Sequence, residues 1–192
     1  NYYTGLFPFG DGSSNNLSYT VALSRNNTFT NPIFPLGGSE FVLSARFSLP
    51  YSLWNGVDYA NLGDLEKFQD DDGNPDPAKI EQEKFKWLEF YKIKFKGSWY
   101  TRLFDKLVLR THTEFGFLGA FNNDRGVIPF DRFFLGGDGM SQYAMDGRET
   151  ISLRGYPNQS LSSQDGSTIY NRFSLELRYP ITLKPAASIF GL

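Results

Sequence analysis

The clearest pattern in the sequence is a strict alternation of polar and apolar residues from position 172 to position 179, within the stretch 169–180. One face of this stretch is apolar and consists of Phe173, Leu175, Leu177 and Tyr179. The other face is polar and consists of Arg172, Ser174, Glu176 and Arg178. A period of two is typical of a β-strand with one apolar face and one wetted face. Residues 169–180 are therefore predicted to form a strand.

Four further stretches alternate in the same way, and each predicts a strand. They are residues 16–25, 40–49, 85–99 and 107–117. A sixth strand is predicted to begin near Ala187. The register is least secure in the third stretch, where Glu89 falls on the apolar face and Leu88 and Phe90 fall on the polar face.

The connections between these strands alternate in length. Short turns are predicted at residues 26–39, 104–106 and 180–185, and long loops at residues 50–82 and 120–168. Outer-membrane barrels have short periplasmic turns and long external loops, and strands of about 9–11 residues suffice to cross a bilayer obliquely. The pattern predicts an all-β fold that is part of a transmembrane antiparallel β-barrel.

Composition is compatible with such a barrel and excludes some other classes. The chain has 192 residues and a formal net charge of −2, so nothing favours nucleic acid as a partner. Its mean hydropathy of −0.38 agrees with a barrel, because residues that face the lumen are polar. The chain begins without Met and ends within a predicted strand. We therefore expect residues 1–192 to be a fragment of one barrel domain.

Few residues suggest catalysis or metal binding. Five residues of the first long loop, residues 50–82, have spacings similar to a calcium-binding EF-hand loop: Asp70, Asp72, Asn74, Asp76 and Glu81. However, Pro75 stands where that loop needs Gly, and no flanking helix is predicted, so a solvated acidic loop is expected. His112 is the only histidine and there is no cysteine, which disfavours a zinc site or a nucleophilic triad. The sequence predicts a protein that is not an enzyme, with no catalytic residue, metal or cofactor.

The lysines of the third stretch admit two interpretations. They are Lys86, Lys92, Lys94 and Lys96. A stripe of this kind can bind nucleic acid. Since these lysines alternate with aromatic residues along a strand, they are predicted instead to line a wet lumen.

The long loop 120–168 and the strand after it carry three motifs in order. Phe133-Phe134-Leu135-Gly136-Gly137 comes first, Leu153-Arg154-Gly155-Tyr156 follows, and Ser174-Leu175-Glu176 lies in the next strand. These motifs resemble the F-x-x-G-G segment, the [V/L]-R-G-[F/Y] motif and the following strand of the Omp85 superfamily. Residues 35–39 resemble the P-x-x-G-S turn of the same family.

The resemblance implies a place for each segment in a sixteen-stranded barrel. The strands here would correspond to the eighth to the twelfth and the start of the thirteenth. The motif loop would be the sixth external loop, folded back into the lumen. Its Arg154 would pair with a carboxylate of the inner wall, and Glu176 occupies the matching position. Arg suits this role because its planar fork grips a carboxylate in two places. The alternative is a solvated loop arginine and an ordinary lumen glutamate.

Two features of the motif loop qualify this expectation. Gly155 permits either a close backbone approach or a positive φ beside Arg154. The insert between Gly137 and Leu153 is longer than in the best-known members, and its Asp146, Arg148 and Glu149 could compete for Arg154 or shield it. In this insert the chain resembles Bacteroidota versions of the BamA-type insertases.

The resemblance also implies function, partners and location. BamA-type proteins fold and insert other outer-membrane proteins in the bacterial outer membrane, as part of the BAM complex. The implied partners are unfolded outer-membrane protein clients, BAM accessory lipoproteins, and outer-membrane lipid and lipopolysaccharide. POTRA repeats and the remaining strands would belong to other parts of such a protein. The alternatives are a two-partner-secretion or TamA-like transporter, and a passive porin or surface-binding barrel.

Overall fold

The computed structural model describes residues 13–28, 34–137, 149–182 and 189–191. It contains eight strands in this part of the chain: β1 (Ser18–Thr28), β2 (Gly38–Ser48), β3 (Tyr91–Phe104), β4 (Leu107–Gly119), β5 (Phe133–Leu135), β6 (Glu149–Ile151), β7 (Ile169–Thr182) and β8 (Ile189–Gly191). Six of them form one sheet in the order β1-β2-β3-β4-β7-β8, while β5 and β6 form a separate pair. The structure is mostly antiparallel sheet, as the sequence predicts.

Most of the predicted strands are confirmed. The strands predicted at 16–25, 40–49, 107–117 and 169–180 correspond to β1, β2, β4 and β7. The strand predicted near Ala187 corresponds to β8, which pairs antiparallel with β7 through Tyr179 and Gly191. Among the described residues, no helix is both long enough and apolar enough to cross a membrane.

The chain divides into two compact units. The first contains the described residues of 1–20, 46–92 and 118–169, and the second those of 21–45, 93–117 and 170–192. The first unit holds both long connections, and the second holds most of the length of the six-stranded sheet.

In the second unit, apolar side chains of the sheet are exposed and polar side chains are buried, which is the reverse of a sheet in a water-soluble protein. The apolar residues Phe173 and Leu175 of β7 are 64% and 63% exposed. The side chain of Arg178, on the opposite face of the same strand, is only 15% exposed. Strand β1 likewise exposes Val21 and Leu23. Exposed apolar faces of this extent mark a surface that contacts lipid or protein, and a polar enclosed face is typical of a membrane barrel.

In the first unit, the connection between β2 and β3 is more ordered than predicted. It contains helix α1 (Pro77–Phe85), so the prediction of a loop without a helix was wrong. Asp76 caps this helix, because its carboxylate accepts hydrogen bonds from the backbone N–H groups of Ala78 at 2.9 Å and Lys79 at 3.4 Å. Proline at the first helical position is preorganised for a helix start. A small core of Tyr59, Leu62 and Phe68 packs in this connection.

The start of the third predicted strand was also wrong. Residues 85–90 were expected to belong to it, but Phe85 ends α1 and β3 begins only at Tyr91. Leu88, Glu89 and Phe90 are all buried. These are the residues at which the alternation failed, and the interruption therefore marked a buried connection and not an irregular strand.

Candidate functional site

Strands β5 and β6 bring two of the sequence motifs together. They pair in parallel, with Phe133 opposite Glu149 and Leu135 opposite Ile151. The long loop predicted at residues 120–168 does connect β4 to β7, and it contains these two short strands. Beyond the strands, the backbone N–H of Leu153 donates to the carbonyl of Gly137 at 2.9 Å, and the N–H of Gly137 donates to the carbonyl of Tyr156 at 3.0 Å. We call the paired segments Phe133–Gly137 and Glu149–Tyr156 the motif clasp.

Both glycines of the first clasp segment are required by the backbone. Gly136 and Gly137 have φ values of 116° and 104°, which side chains rarely tolerate. A Cβ atom on Gly136 would lie 2.5 Å from the carbonyl oxygen of Pro157, and one on Gly137 would lie 2.0 Å from Oδ1 of Asn158. The two glycines thus allow the chain just after the R-G-Y motif to pack directly on the clasp.

The R-G-Y motif itself forms a tight turn. The N–H of Tyr156 points back to the carbonyl of Leu153 at 3.4 Å, and Gly155 has a φ of 86°. Glycine is favoured at the third position of such a turn because φ is positive there. No atom lies within 4 Å of a Cβ built on Gly155. Of the two roles considered for Gly155, the structure supports the positive φ.

Substituting Gly136 by alanine is expected to loosen the clasp more than substituting Gly155. Gly155→Ala adds only backbone strain, about 1–2 kcal/mol. Gly136→Ala adds comparable strain and also a contact of 2.5 Å with a backbone carbonyl. We expect limited proteolysis of the detergent-solubilised protein to cleave the clasp faster in Gly136→Ala than in Gly155→Ala. Equal cleavage rates would contradict the packing role of Gly136.

A buried lysine anchors the clasp to β3. The ammonium of Lys92 lies 2.7 Å from Oε2 of Glu149 and donates to the backbone carbonyl of Asp131 at 2.7 Å. It also lies 4.6 Å from the centre of the Phe133 ring. The Lys92 side chain is only 4% exposed. On β2, the guanidinium of Arg46 binds the Asp131 carboxylate at 3.3 Å. Cations of two strands therefore hold the base of the motif loop.

In the second unit, the polar face of the sheet carries ion pairs that link neighbouring strands. Glu176 on β7 accepts from Arg110 on β4 at 2.8 Å and from Arg178 at 2.9 Å. Glu114 on β4 lies 3.1 Å from the ammonium of Lys96 on β3. Arg110 and Glu114 lie on β4 and Glu176 and Arg178 on β7, and the two residues of β7 belong to the face that the sequence predicts to be polar.

The sequence matches the Omp85 superfamily domain over residues 9–192. The chain belongs to the Omp85 superfamily. The comparison with curated protein sequences finds no match. As a superfamily, Omp85 proteins are bacterial outer-membrane β-barrels that act in barrel assembly or in secretion and interact with outer-membrane protein clients.

The Omp85 motif arginine and the predicted wall glutamate lie in different units of the chain. Arg154 is exposed at the turn of the motif clasp in the first unit. Glu176 lies in the second unit, where Arg110 and Arg178 bind its carboxylate. The pairing of Arg154 with Glu176 stays a prediction. Of the insert residues considered as competitors, Glu149 binds Lys92, while Asp146 and Arg148 lie outside the described residues.

His112 lies in a hydrogen-bonded chain with the order of a catalytic triad. The Ser98 hydroxyl lies 2.8 Å from Nδ1 of His112, and Nε2 of His112 lies 2.9 Å from Glu114. However, Ser98 and His112 are each 2% exposed, and the Ser98 oxygen also accepts from Arg110 at 3.2 Å. A nucleophile must reach a substrate, and this hydroxyl is enclosed. The arrangement suits a cross-strand link on the polar face, and the absence of enzymatic activity stays a prediction.

The acidic segment near Asp70 is organised by its own backbone. Oδ1 of Asp70 accepts from the N–H groups of Asn74 at 2.8 Å and Asp72 at 3.0 Å. The hydrogen bond from Asn74 holds the pKa of Asp70 below its ordinary value. A helix does follow this segment, contrary to expectation, and Asp76 serves as its cap. Within the described residues, no group of acidic, histidine or cysteine side chains could hold a metal ion.

Proposed function

We propose that this chain is part of a BamA-type insertase, which folds and inserts other outer-membrane proteins. Membership of the Omp85 superfamily supports barrel assembly or secretion in general. The observation that carries the narrower proposal is the motif clasp. Its glycine packing and the buried Lys92 hold the R-G-Y turn in a defined place relative to β3, within the first unit. A fixed R-G-Y turn is what an insertase needs if the motif loop braces the barrel from inside.

The proposed mechanism contains no covalent step. An incoming strand cannot leave its N–H and C=O groups unpaired in lipid, where each unpaired group costs several kcal/mol. An open strand edge of the insertase would offer partners for these groups, as in other cases of strand addition. In this scheme, the described strands form a wall away from that edge. The links from Glu176 to Arg110 and from Glu114 to Lys96 would keep the wall stiff while the edge opens.

The same proposal includes partners of the full-length protein. Unfolded outer-membrane proteins would be its clients, and BAM accessory lipoproteins and lipopolysaccharide would contact it. The long connections would lie at the cell surface and the short turns in the periplasm, since external loops are the longer ones in outer-membrane barrels.

A dedicated transporter of the two-partner-secretion or TamA type is the second candidate. The observation in its favour is the same superfamily match, because those proteins share the motif. Its clients would differ, since such a transporter serves one or a few substrates. Loss of a single secreted protein on depletion would favour it.

Replacing Arg154 by alanine is expected to lower insertion of client barrels. The full-length parent would be depleted in its own cell and restored with wild type, Arg154→Ala or Arg102→Ala. The readout is the amount of folded, heat-modifiable barrels of other families. We expect wild type to restore them and Arg154→Ala to restore them poorly, because alanine cannot grip a carboxylate.

Arg102 provides the matched control, because it is an exposed arginine near the C-terminal end of β3 and lies outside the motif clasp. Arg102→Ala is expected to behave as wild type. If other barrels stay normal on depletion, the insertase proposal is wrong. If depletion lowers them but Arg154→Ala restores them fully, with unchanged proteolysis of residues 138–168, the role of Arg154 is wrong.

A further inference from the structure

The first unit contains an aromatic cavity that the proposed function does not use. Its volume is about 260 Å³, and its walls include Tyr51, Trp54 and Trp87. The chain has three tryptophans, and two of them line this cavity. Trp54 is 68% exposed and Trp87 is 43% exposed. Binding sites for small molecules typically combine aromatic walls with a few polar groups, and from this cavity we infer a binding site for a sugar ring of a cell-surface glycan.

The walls of the cavity are held in place by a buried ion pair. Arg125 binds Glu89 at 2.6 Å, with side-chain exposures of 4% and 1%. Glu89 also accepts from the backbone N–H of Ser52 at 2.8 Å and from its hydroxyl at 2.7 Å, which fixes the short 3-10 turn Tyr51–Leu53. Arg125 donates to the carbonyl of Trp87. These contacts fix the backbone at Ser52 and Trp87, next to the aromatic walls, and preorganisation of this kind lowers the entropic cost of binding.

The charge of the cavity favours a neutral ligand. Its lining includes one carboxylate, Glu83, and one ammonium, Lys86, while the charge of the third ionised residue, Arg125, is balanced by Glu89. An aromatic cage that lacks positively charged residues would bind an ammonium group. In this cavity Lys86 and Arg125 are themselves positively charged and would repel a cationic ligand. A cluster of cations without Glu83 would select a phosphate. The balance between these groups leaves an uncharged ligand with many hydroxyl groups as the best match.

The aromatic rings and the polar groups suit the two kinds of surface on a sugar ring. The ring faces of a pyranose carry C–H groups, which pack well on the electron-rich face of an indole. Its hydroxyls need both donors and acceptors, and Lys86 donates while Glu83 accepts. Within the described residues, neither of these two side chains has a hydrogen bond or an ion pair. The volume is just below the range of about 300–1,000 Å³ for drug-sized ligands, which fits a single ring of a longer glycan.

The position of the cavity in the chain agrees with such a ligand. All of its walls come from the two long connections, residues 50–90 and 120–132. In a barrel of this family, long connections face the cell surface. There the neutral sugar rings come from lipopolysaccharide or from a surface polysaccharide.

Saturation-transfer NMR on the purified protein in detergent tests this inference. The probes are core oligosaccharide released by mild acid from lipopolysaccharide of the producing cells, surface polysaccharide from the same cells, and intact lipopolysaccharide. We expect transfer to the ring C–H protons of at least one water-soluble glycan. Trp54→Ala and Trp87→Ala should each weaken this binding about tenfold.

Trp99→Ala is the matched control, because Trp99 lies in β3 and does not line the cavity. It should bind as wild type does. Binding of the core oligosaccharide would identify lipopolysaccharide as the source, and binding of the polysaccharide would identify the free glycan. The inference is overturned if neither water-soluble glycan binds, if only intact lipopolysaccharide binds through its lipid, or if both cavity variants bind like Trp99→Ala. Heat-modifiability of each variant confirms that its barrel is folded.

Discussion

Replacing Arg125 by alanine is expected to cause local unfolding of the connection between β2 and β3. The carboxylate of Glu89 would stay buried with only Ser52 to bind it, because the pair at 2.6 Å is lost. Leaving one charge of a buried pair uncompensated costs about 3–5 kcal/mol. Arg125 also donates to the backbone carbonyl of Lys84 at 3.1 Å, and its guanidinium lies 4.8 Å from the centre of the Tyr59 ring. These contacts would be lost together, so the local structure rather than the whole sheet should open.

Hydrogen exchange of the detergent-solubilised protein measures this opening. We expect amides in residues 51–90 to exchange faster by roughly two to three orders of magnitude, since each 1.4 kcal/mol is about tenfold. Lys84→Ala is the control, because Lys84 contributes its backbone carbonyl and not its side chain. Adding Glu89→Gln to Arg125→Ala should recover part of the protection, because the buried charge is then removed. Unchanged exchange in Arg125→Ala would show that the pair does not organise this connection.

The strands could be predicted because their burial repeats every second residue. The apolar face of β7, from Phe173 to Tyr179, is visible without coordinates, and so is the polar face with Glu176 and Arg178. The alternation does not indicate which of the alternating residues lie outside the sheet. Phe85 and Trp87 fit the period of two, but the first ends α1 and the second lines a cavity. A buried connection can enclose aromatic residues just as a strand does. A period of two over a few residues therefore does not distinguish a buried connection from a strand.

The candidate site was predicted in part, through its glycines. The motif residues Gly136, Gly137, Gly155 and the turn around Arg154 were selected from the sequence, and the structure brings their segments together. Lys92 was interpreted only as a lumen-lining residue. Its partners Asp131 and Glu149 lie 39 and 57 positions away, and nothing local links them. Long-range ion pairs depend on the fold, so sequence patterns reveal the charges but not the pairing.

Replacing Lys92 by methionine is expected to detach the base of the motif clasp. Methionine keeps most of the length of the side chain but removes the ammonium, which lies 2.7 Å from Glu149 and 3.5 Å from Asp131. The two carboxylates, each roughly a quarter exposed, would then lack their shared cation. Arg46 would still bind Asp131. The destabilisation should therefore affect mainly Glu149 and strand β6. Breaking a buried ion pair by removing one partner destabilises the structure by about 3–5 kcal/mol. We expect a value near ~3 kcal/mol here, because the two carboxylates are partly exposed.

Three comparisons decide whether the charge of Lys92 or only its packing matters. Lys96→Met is the matched control on the same face of β3, because the Lys96 side chain is 67% exposed and its carboxylate partner is Glu114, which is not a clasp residue. Hydrogen exchange of residues 149–162 should rise strongly in Lys92→Met and little in Lys96→Met. Adding Glu149→Gln to Lys92→Met should restore part of the protection, because an uncompensated carboxylate is removed. Equal effects of Lys92→Met with and without Glu149→Gln would instead show that the ammonium acts through the Phe133 ring and the carbonyl of Asp131, and the anchoring role of the ion pair with Glu149 would be wrong.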